Sequence, residues 1–373
     1  MEGVVLGFID ILEAARIRTL RLVLSTHWLR EAFRDRAIRL ALLFSLCVFI
    51  YLPLSLYFPL WILAVGPVVW GIPHIFASLR FQTDLVIAET PQNKSKTVRA
   101  AIFYSCSVWA GIALFRIYTD VFQKLSVWDR THPGVVEASF AIFLFSGLVY
   151  IFRRNCKQLL WGSIVLVPVT LALWKLPLVF AGILILAHNF IACIFWILAA
   201  RQSRDRAVAV GATAIFFLIH VLVFMKAFDR AINLYPVASQ LGWSGASVDG
   251  LGHMIVPWSD DLSVWYRAVC LYAFGQSLHY FIWLKAIPDL RAPTSNPTSF
   301  RTAWNFLKRD FGFKLGIGAI VLSLAPVAAW LMLNFEVSHN LYFAFASCHG
   351  YFEFAGLALL AGKAVGRQKK TSV

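Results

Sequence analysis

Charge is scarce in this sequence. Asp, Glu, Lys and Arg make up 14% of its 373 residues, where a soluble globular domain carries about 25%, and a water-facing exterior cannot be assembled from so few. Carboxylates are scarcer still, 19 against 34 basic residues. The six cysteines (Cys47, Cys106, Cys156, Cys193, Cys270, Cys348) show no CxxC spacing and sit mostly in apolar runs, so they read as small buried hydrophobes and not as zinc ligands or disulfides. There is no glycine-rich phosphate cradle, and no tandem repeat of roughly 20–50 residues. Clustered HxxxH or HxxHH runs are missing too, which argues against membrane desaturases and hydroxylases of the histidine-box kind. Residues 1–37 lack a short apolar core followed by a small-residue cleavage site, so no cleavable signal is expected.

What the sequence has in excess is apolar length. Hydrophobic residues are 60% of the chain, with 32 Phe and 14 Trp, and Trp is favoured at membrane interfaces. Apolar stretches of spanning length, about 20 residues, fall at 39–57, 59–80, 98–118, 135–152, 158–174, 177–200, 207–228, 264–286, 315–334 and 341–361. The fold class expected is therefore all-α, a polytopic bundle of about ten transmembrane helices. In a soluble chain the net charge of +15 would point to nucleic acid, but here the Lys and Arg occupy gaps between apolar runs. With the N terminus inside, 27 of the 34 basic residues fall in cytoplasmic segments, as the positive-inside rule requires. Both termini are then cytoplasmic, in what reads as a prokaryotic cytoplasmic membrane, with the lipid bilayer and not nucleic acid as partner.

Three segments follow: an amphipathic cytoplasmic stretch over 1–37, in which Leu6, Ile9, Leu12 and Ile17 stand against Arg16, Arg18 and Arg21, a transmembrane domain over 38–362, and a basic tail over 363–373. The outer loop 229–263 is expected to fold over the extracytoplasmic mouth. The inner one, 287–314, carries Pro288, Pro293 and Pro297 and reads as a basic loop. The oligomeric state is not legible.

Of nine histidines, His27, His132, His253 and His339 fall outside the spans, and five fall inside: His74 in GIPHIF, His188 in LAHNFI, His220 in FLIHVL, His279 in SLHYFIW and His349 in SCHGYFEF. An ionisable group in the hydrocarbon region is costly unless it pairs or coordinates, so function is the default reading. His74, His188, His279 and His349 lie on spans 2, 6, 8 and 10, which all run from outside to inside. At about 1.5 Å rise per residue they share a layer between mid-membrane and the inner leaflet. Three or four neutral imidazoles suit iron, zinc, copper or nickel. Each histidine taken alone could equally bridge helices by hydrogen bonding, worth about 0.6 kcal/mol on average. His220, on an antiparallel span, stands apart.

Glu353 follows His349 by four residues and so shares its helix face; it could be a ligand, a hydrogen-bond acceptor holding an imidazole, or a catalytic proton relay. Asn189 and Gln276 could orient imidazoles or simply join helices. Pro67 and Pro73 should bend span 2 beside His74. Tyr280, Trp283, Tyr351 and Phe352 flank the histidines and are candidates to line a lipophilic substrate tunnel, or are ordinary packing.

At its four histidine motifs, GIPHIF, AHNF, SLHYFIW and SCHGYFE, the sequence resembles the Brp/Blh family of membrane-bound β-carotene 15,15′-dioxygenases. That resemblance implies a non-haem iron (Fe2+) held by His74, His188 and His279, with His349 a ligand or near neighbour, and O2-dependent cleavage of a carotenoid to retinal. The sequence departs from the family at Gly275, where the first histidine of an HxxxHF pair would stand. A b-type haem held by histidine pairs, another transition metal, and a transport function are the alternatives that the residues leave open.

Overall fold

The computed structural model describes residues 2–23, 25–87, 94–122, 131–151, 164, 167–172, 174–233, 240–241, 246–291, 299–332, 338, 341–342, 344–346 and 349–357. The span expected at 158–174 lies largely outside them, as do the 363–373 tail and the side chains of His132 and His339. The chain is helical: α1 (Glu2–Val23), α2 (His27–Arg34), α3 (Arg36–Tyr57), α4 (Pro59–Ile87), α5 (Lys94–Arg116) with a π-helical extension Ile117–Phe122, α6 (Thr131–Ile151), α7 (Pro177–Ala199), α8 (Ser203–Phe224), and the short α9 (Asp229–Asn233) and α10 (Val248–Ile255). Then come α11 (Leu262–Phe281), which runs through a π-helical turn Ile282–Ala286 into α12 (Ile287–Arg291), and α13 (Phe300–Met332). A last helix, α14, covers 349–357. The only strands among the described residues are Gln240–Leu241 and Ala246–Ser247, one antiparallel ladder with Gln240 opposite Ser247.

Helix α11 is the axis of the bundle. Every residue from Arg267 to Phe281 is buried, the pattern of a helix enclosed on all sides. It is packed by α3, α4, α7 and α8. One apolar cluster joins Leu40, Phe44, Trp196, Phe216, Phe274 and Trp283, and a second joins Ile72, Ile75, Trp109, Ile112, Leu144 and Phe352. Helix α4 serves both, through Phe81 in the first and Ile72, Ile75 and Leu79 in the second. The outward faces are apolar as well: Phe49, Phe103, Phe217 and Leu331 are exposed, the reverse of a water-soluble surface and suited to lipid.

Two helices among the described residues, Arg36–Tyr57 and Ser203–Phe224, are long and apolar enough to cross a membrane. The limbs Pro59–Pro67 and Val69–Phe81 of α4 together qualify as a third, and they meet at 57°. The bend expected from Pro67 is thus present, because a proline removes an amide donor and its ring crowds the preceding turn.

Ion pairs tie the helix ends. At one end, Arg36 reaches Asp205 at 2.5 Å and Arg39 reaches Asp289 at 2.9 Å, both of the latter side chains fully buried. At the other, Arg267 makes a two-pronged contact with Asp229, 2.9 Å on each arm. The starts of α3 and α8 therefore sit together with the far end of α11, so α11 runs against both.

Where it is described, the segment 229–263 packs on the bundle: Val248, Ile255 and Val256 lie with Leu60, Leu63, Ala268 and Val269. The inner loop departs from its expectation. Residues 300–314 are helical and continue into α13, since their charges stand among Trp304, Phe306 and Leu307 without a proline; charge density imitates a loop where helical propensity persists. Helix α1 docks there, with Arg301 to Asp10 at 2.6 Å and the Phe300 amide donating to Glu13 at 3.0 Å, which satisfies an open donor in the first turn of α13.

Candidate metal centre

Three histidines from three helices meet in the buried interior of the bundle. His74 stands on the second limb of α4, past the bend. His279 is in the last turn of α11, directly before the π-helical turn whose wider winding re-aims the residues around it. His349 opens α14. One ring nitrogen from each lies within 4.8 Å of the other two, and all three are buried, at 1%, 0% and 3% exposure. Nε2 of His279 is 3.2 Å from Nε2 of His349. His74 lies edge-on to both, with ring centroids 5.0 Å from His279 and 4.6 Å from His349.

Glu353 enters the same space from the next turn of α14. Its Oε1 is 3.0 Å from Nε2 of His349 and 3.7 Å from Nε2 of His279. Neither carboxylate oxygen is engaged in a hydrogen bond, and Nε2 of His74 is likewise buried without a protein partner. A buried carboxylate left in that condition costs several kcal/mol unless a cation or proton meets it. Three imidazole nitrogens and one carboxylate oxygen converging on one point form a donor set that fits a transition-metal ion. The residues present thus fit a histidine-held metal.

His188 belongs to the neighbourhood but stands a step back: its ring centroid is 4.8 Å from that of His279 and 6.5 Å from that of His349. His220 is the outsider expected, wedged among Phe190, Phe216 and Phe274 with Nδ1 2.8 Å from the Phe216 carbonyl. Asn189 does not orient an imidazole; its amide donates to the Ile185 carbonyl of its own helix at 3.4 Å. It fills the space beside Gly275, where a Cβ would come within 2.7 Å of Asn189 Nδ2. The glycine is what lets α7 approach α11 here.

Among the aromatic candidates, Tyr280 is the one at the centre, with its ring 4.7 Å from that of His74. Its hydroxyl lies 3.2 Å from that of Tyr342. Tyr342 itself lies on Gly71, where a Cβ would meet its ring at 2.1 Å. Trp283 packs against Phe81 and Phe195 with its ring centroid 6.3 Å from that of His279, while Tyr351 and Phe352 belong to the second apolar cluster. The groups that hold the imidazoles are ones the sequence reading missed: the Trp70 carbonyl, 3.2 Å from His74 Nδ1, and Ser78 Oγ, 3.0 Å from His349 Nδ1. Ser78 follows His74 by four residues, a helical spacing that marks it as a neighbour.

Comparison with family models, with curated proteins and with solved structures finds no match to this chain.

Proposed function

We propose that this chain is a multi-pass membrane protein of about ten spans that uses His74, His279, His349 and Glu353 to hold a metal, iron in the first place, and acts as an oxygenase on a lipophilic substrate. The observation that carries the reading is the convergence of three fully buried imidazole nitrogens within 4.8 Å beside a carboxylate without a hydrogen bond. Such a metal would supply the activation of O2. The protein's part is to bind the ion, keep water out with an apolar shell, and admit an apolar substrate from the bilayer, where O2 also concentrates. Carotenoid cleavage to retinal is the reaction that the Brp/Blh resemblance suggests, with Tyr280 nearest the centre to meet the substrate.

The membrane setting draws support from the spacing of charges along the run from α11 through the π-helical turn into α12. Arg267 and Asp289 are 22 residues apart, about 33 Å at helical rise, which matches a hydrocarbon core of about 30 Å. His279 falls close to the midpoint of that interval. Both paired ends then sit at the two interfaces, and the histidines at mid-membrane. A b-type haem, clamped between two histidines, is served less well, because three imidazoles and a carboxylate aimed at one point suit a single ion.

The test is O2 uptake and retinal formation by the purified, iron-loaded protein given β-carotene in detergent micelles. The reading expects both, and their loss in His279→Ala. Iron binding without O2 uptake on any carotenoid would overturn the substrate while leaving the metal centre standing.

A further inference from the structure

Ser78 touches two groups at once. Its Oγ is 3.0 Å from the Ile75 carbonyl and 3.0 Å from Nδ1 of His349. A hydroxyl has one proton to give and two lone pairs to offer. The carbonyl can only accept, so the Ser78 proton goes there, and the oxygen is left as an acceptor. Both contacts are then satisfied in a single arrangement, with His349 carrying its proton on Nδ1 and donating it to Ser78. The opposite ring nitrogen, Nε2, keeps its lone pair and faces His279 and Glu353 at 3.2 and 3.0 Å.

His74 repeats the logic with a backbone group. Its Nδ1 lies 3.2 Å from the Trp70 carbonyl, which can only accept, so Nδ1 bears the proton and Nε2 bears a lone pair with no protein partner. Two independent acceptors, both on α4, thus turn two imidazoles the same way. Ser78 is fully buried, one helical turn beyond His74, so one short stretch of α4 supplies a ligand, the carbonyl that sets that ligand's tautomer, and the hydroxyl that sets the tautomer of a ligand on α14.

We infer that Ser78 is a positioning residue that fixes the Nδ1-protonated tautomer of His349 and so presents Nε2 to a metal ion. The inference rests on the proposed metal centre. Partners of this kind hold ring orientation and ligand basicity, and their removal costs 10- to 100-fold in metal affinity. A backbone carbonyl does the same for His74 and cannot be mutated away, which leaves Ser78 as the side chain of α4 through which the tautomer logic can be tested.

The experiment has two readouts. The first is Co2+ titration of the metal-stripped wild type, Ser78→Ala and Ser78→Thr, followed by visible absorption. Ser78→Ala is expected to bind Co2+ about 10- to 100-fold more weakly, with Ser78→Thr restoring most of the affinity. The second is 15N–1H correlation of histidine-labelled, metal-stripped wild type, with His349 assigned by comparison with His349→Gln. It is expected to show the His349 proton on Nδ1, and in Ser78→Ala a shift of population toward Nε2. A wild type that binds no Co2+ would overturn the metal centre. A wild type that binds it, alongside a Ser78→Ala protein that binds equally well, would overturn the role of Ser78 alone. If Ser78→Ala fails to fold, the wild-type spectrum decides: a proton on Nε2 of His349 refutes the inference.

Discussion

Glu353 places a carboxylate oxygen 3.0 Å from Nε2 of His349, one turn earlier on the same helix, with no hydrogen bond to either oxygen. A carboxylate in that position is a cost in the metal-free protein and an asset in the loaded one. Glu353→Gln should therefore change stability in opposite directions. In stripped protein the substitution is expected to be stabilising, because a buried amide costs less than a buried carboxylate that no cation meets. In metal-loaded protein it should shrink the stabilisation that the ion confers. Melting curves of both proteins, with and without metal, read the sign; a parallel shift in both conditions would show that Glu353 does not face the ion.

The pair formed by Arg39 and Asp289 is fully buried on both sides, with Lys285 also reaching Asp289 at 3.4 Å. Removing one member leaves an uncompensated charge, which costs about 3–5 kcal/mol. Asp289→Ala should lower the unfolding free energy in detergent by that amount, and Arg39→Met with Asp289→Leu together should recover much of it. Equal losses in the single and double variants would contradict the pairing.

Asp229 answers to pH. The Arg267 guanidinium hydrogen-bonded to it holds its carboxyl below the usual carboxylate value, about 3.9 in the unfolded chain. A depressed folded pKa means stability that is present above about pH 4 and lost as pH falls through the folded value. Asp229→Asn should melt earlier than wild type at neutral pH, and the gap should narrow in acid below about pH 4. A gap that holds constant from pH 7 into that acid range would mean the carboxylate charge is not what Arg267 binds.

Close approach of helices at two glycines is testable by small additions. At Gly275 a Cβ comes within 2.7 Å of Asn189 Nδ2 and 3.3 Å of its Cγ, whereas at Gly71 it meets the rigid ring of Tyr342 at 2.1 Å. Gly71→Ala is thus expected to be the more damaging, by about 1–3 kcal/mol, and to part the Tyr280–Tyr342 contact. Gly275→Ala should be relieved by Asn189→Ser, a coupling that thermal melts of the four proteins in a double-mutant cycle would detect.

The histidines were legible because an ionisable residue inside an apolar run is conspicuous, and helical rise alone puts His74 and His279 at similar depth. The bend at Pro67 was legible for the same kind of local reason. What stayed hidden were contacts whose partners lie far apart in the chain: Arg36 with Asp205 across 169 residues and Arg39 with Asp289 across 250. Ser78 and the Trp70 carbonyl carry no pattern at all, since a lone serine in a helix and a backbone oxygen look alike wherever they occur. The helical stretch 300–314 looks like a loop in the sequence because hydropathy registers its charges and not its periodicity.

The central claim is that His74, His279 and His349 together hold one metal ion. Elemental analysis of the purified protein beside its His74→Ala, His279→Ala and His349→Ala variants tests it most directly. A stoichiometric transition metal in the wild type, lost in each of the three variants, is the expected result. Wild-type metal content in all three variants would contradict it.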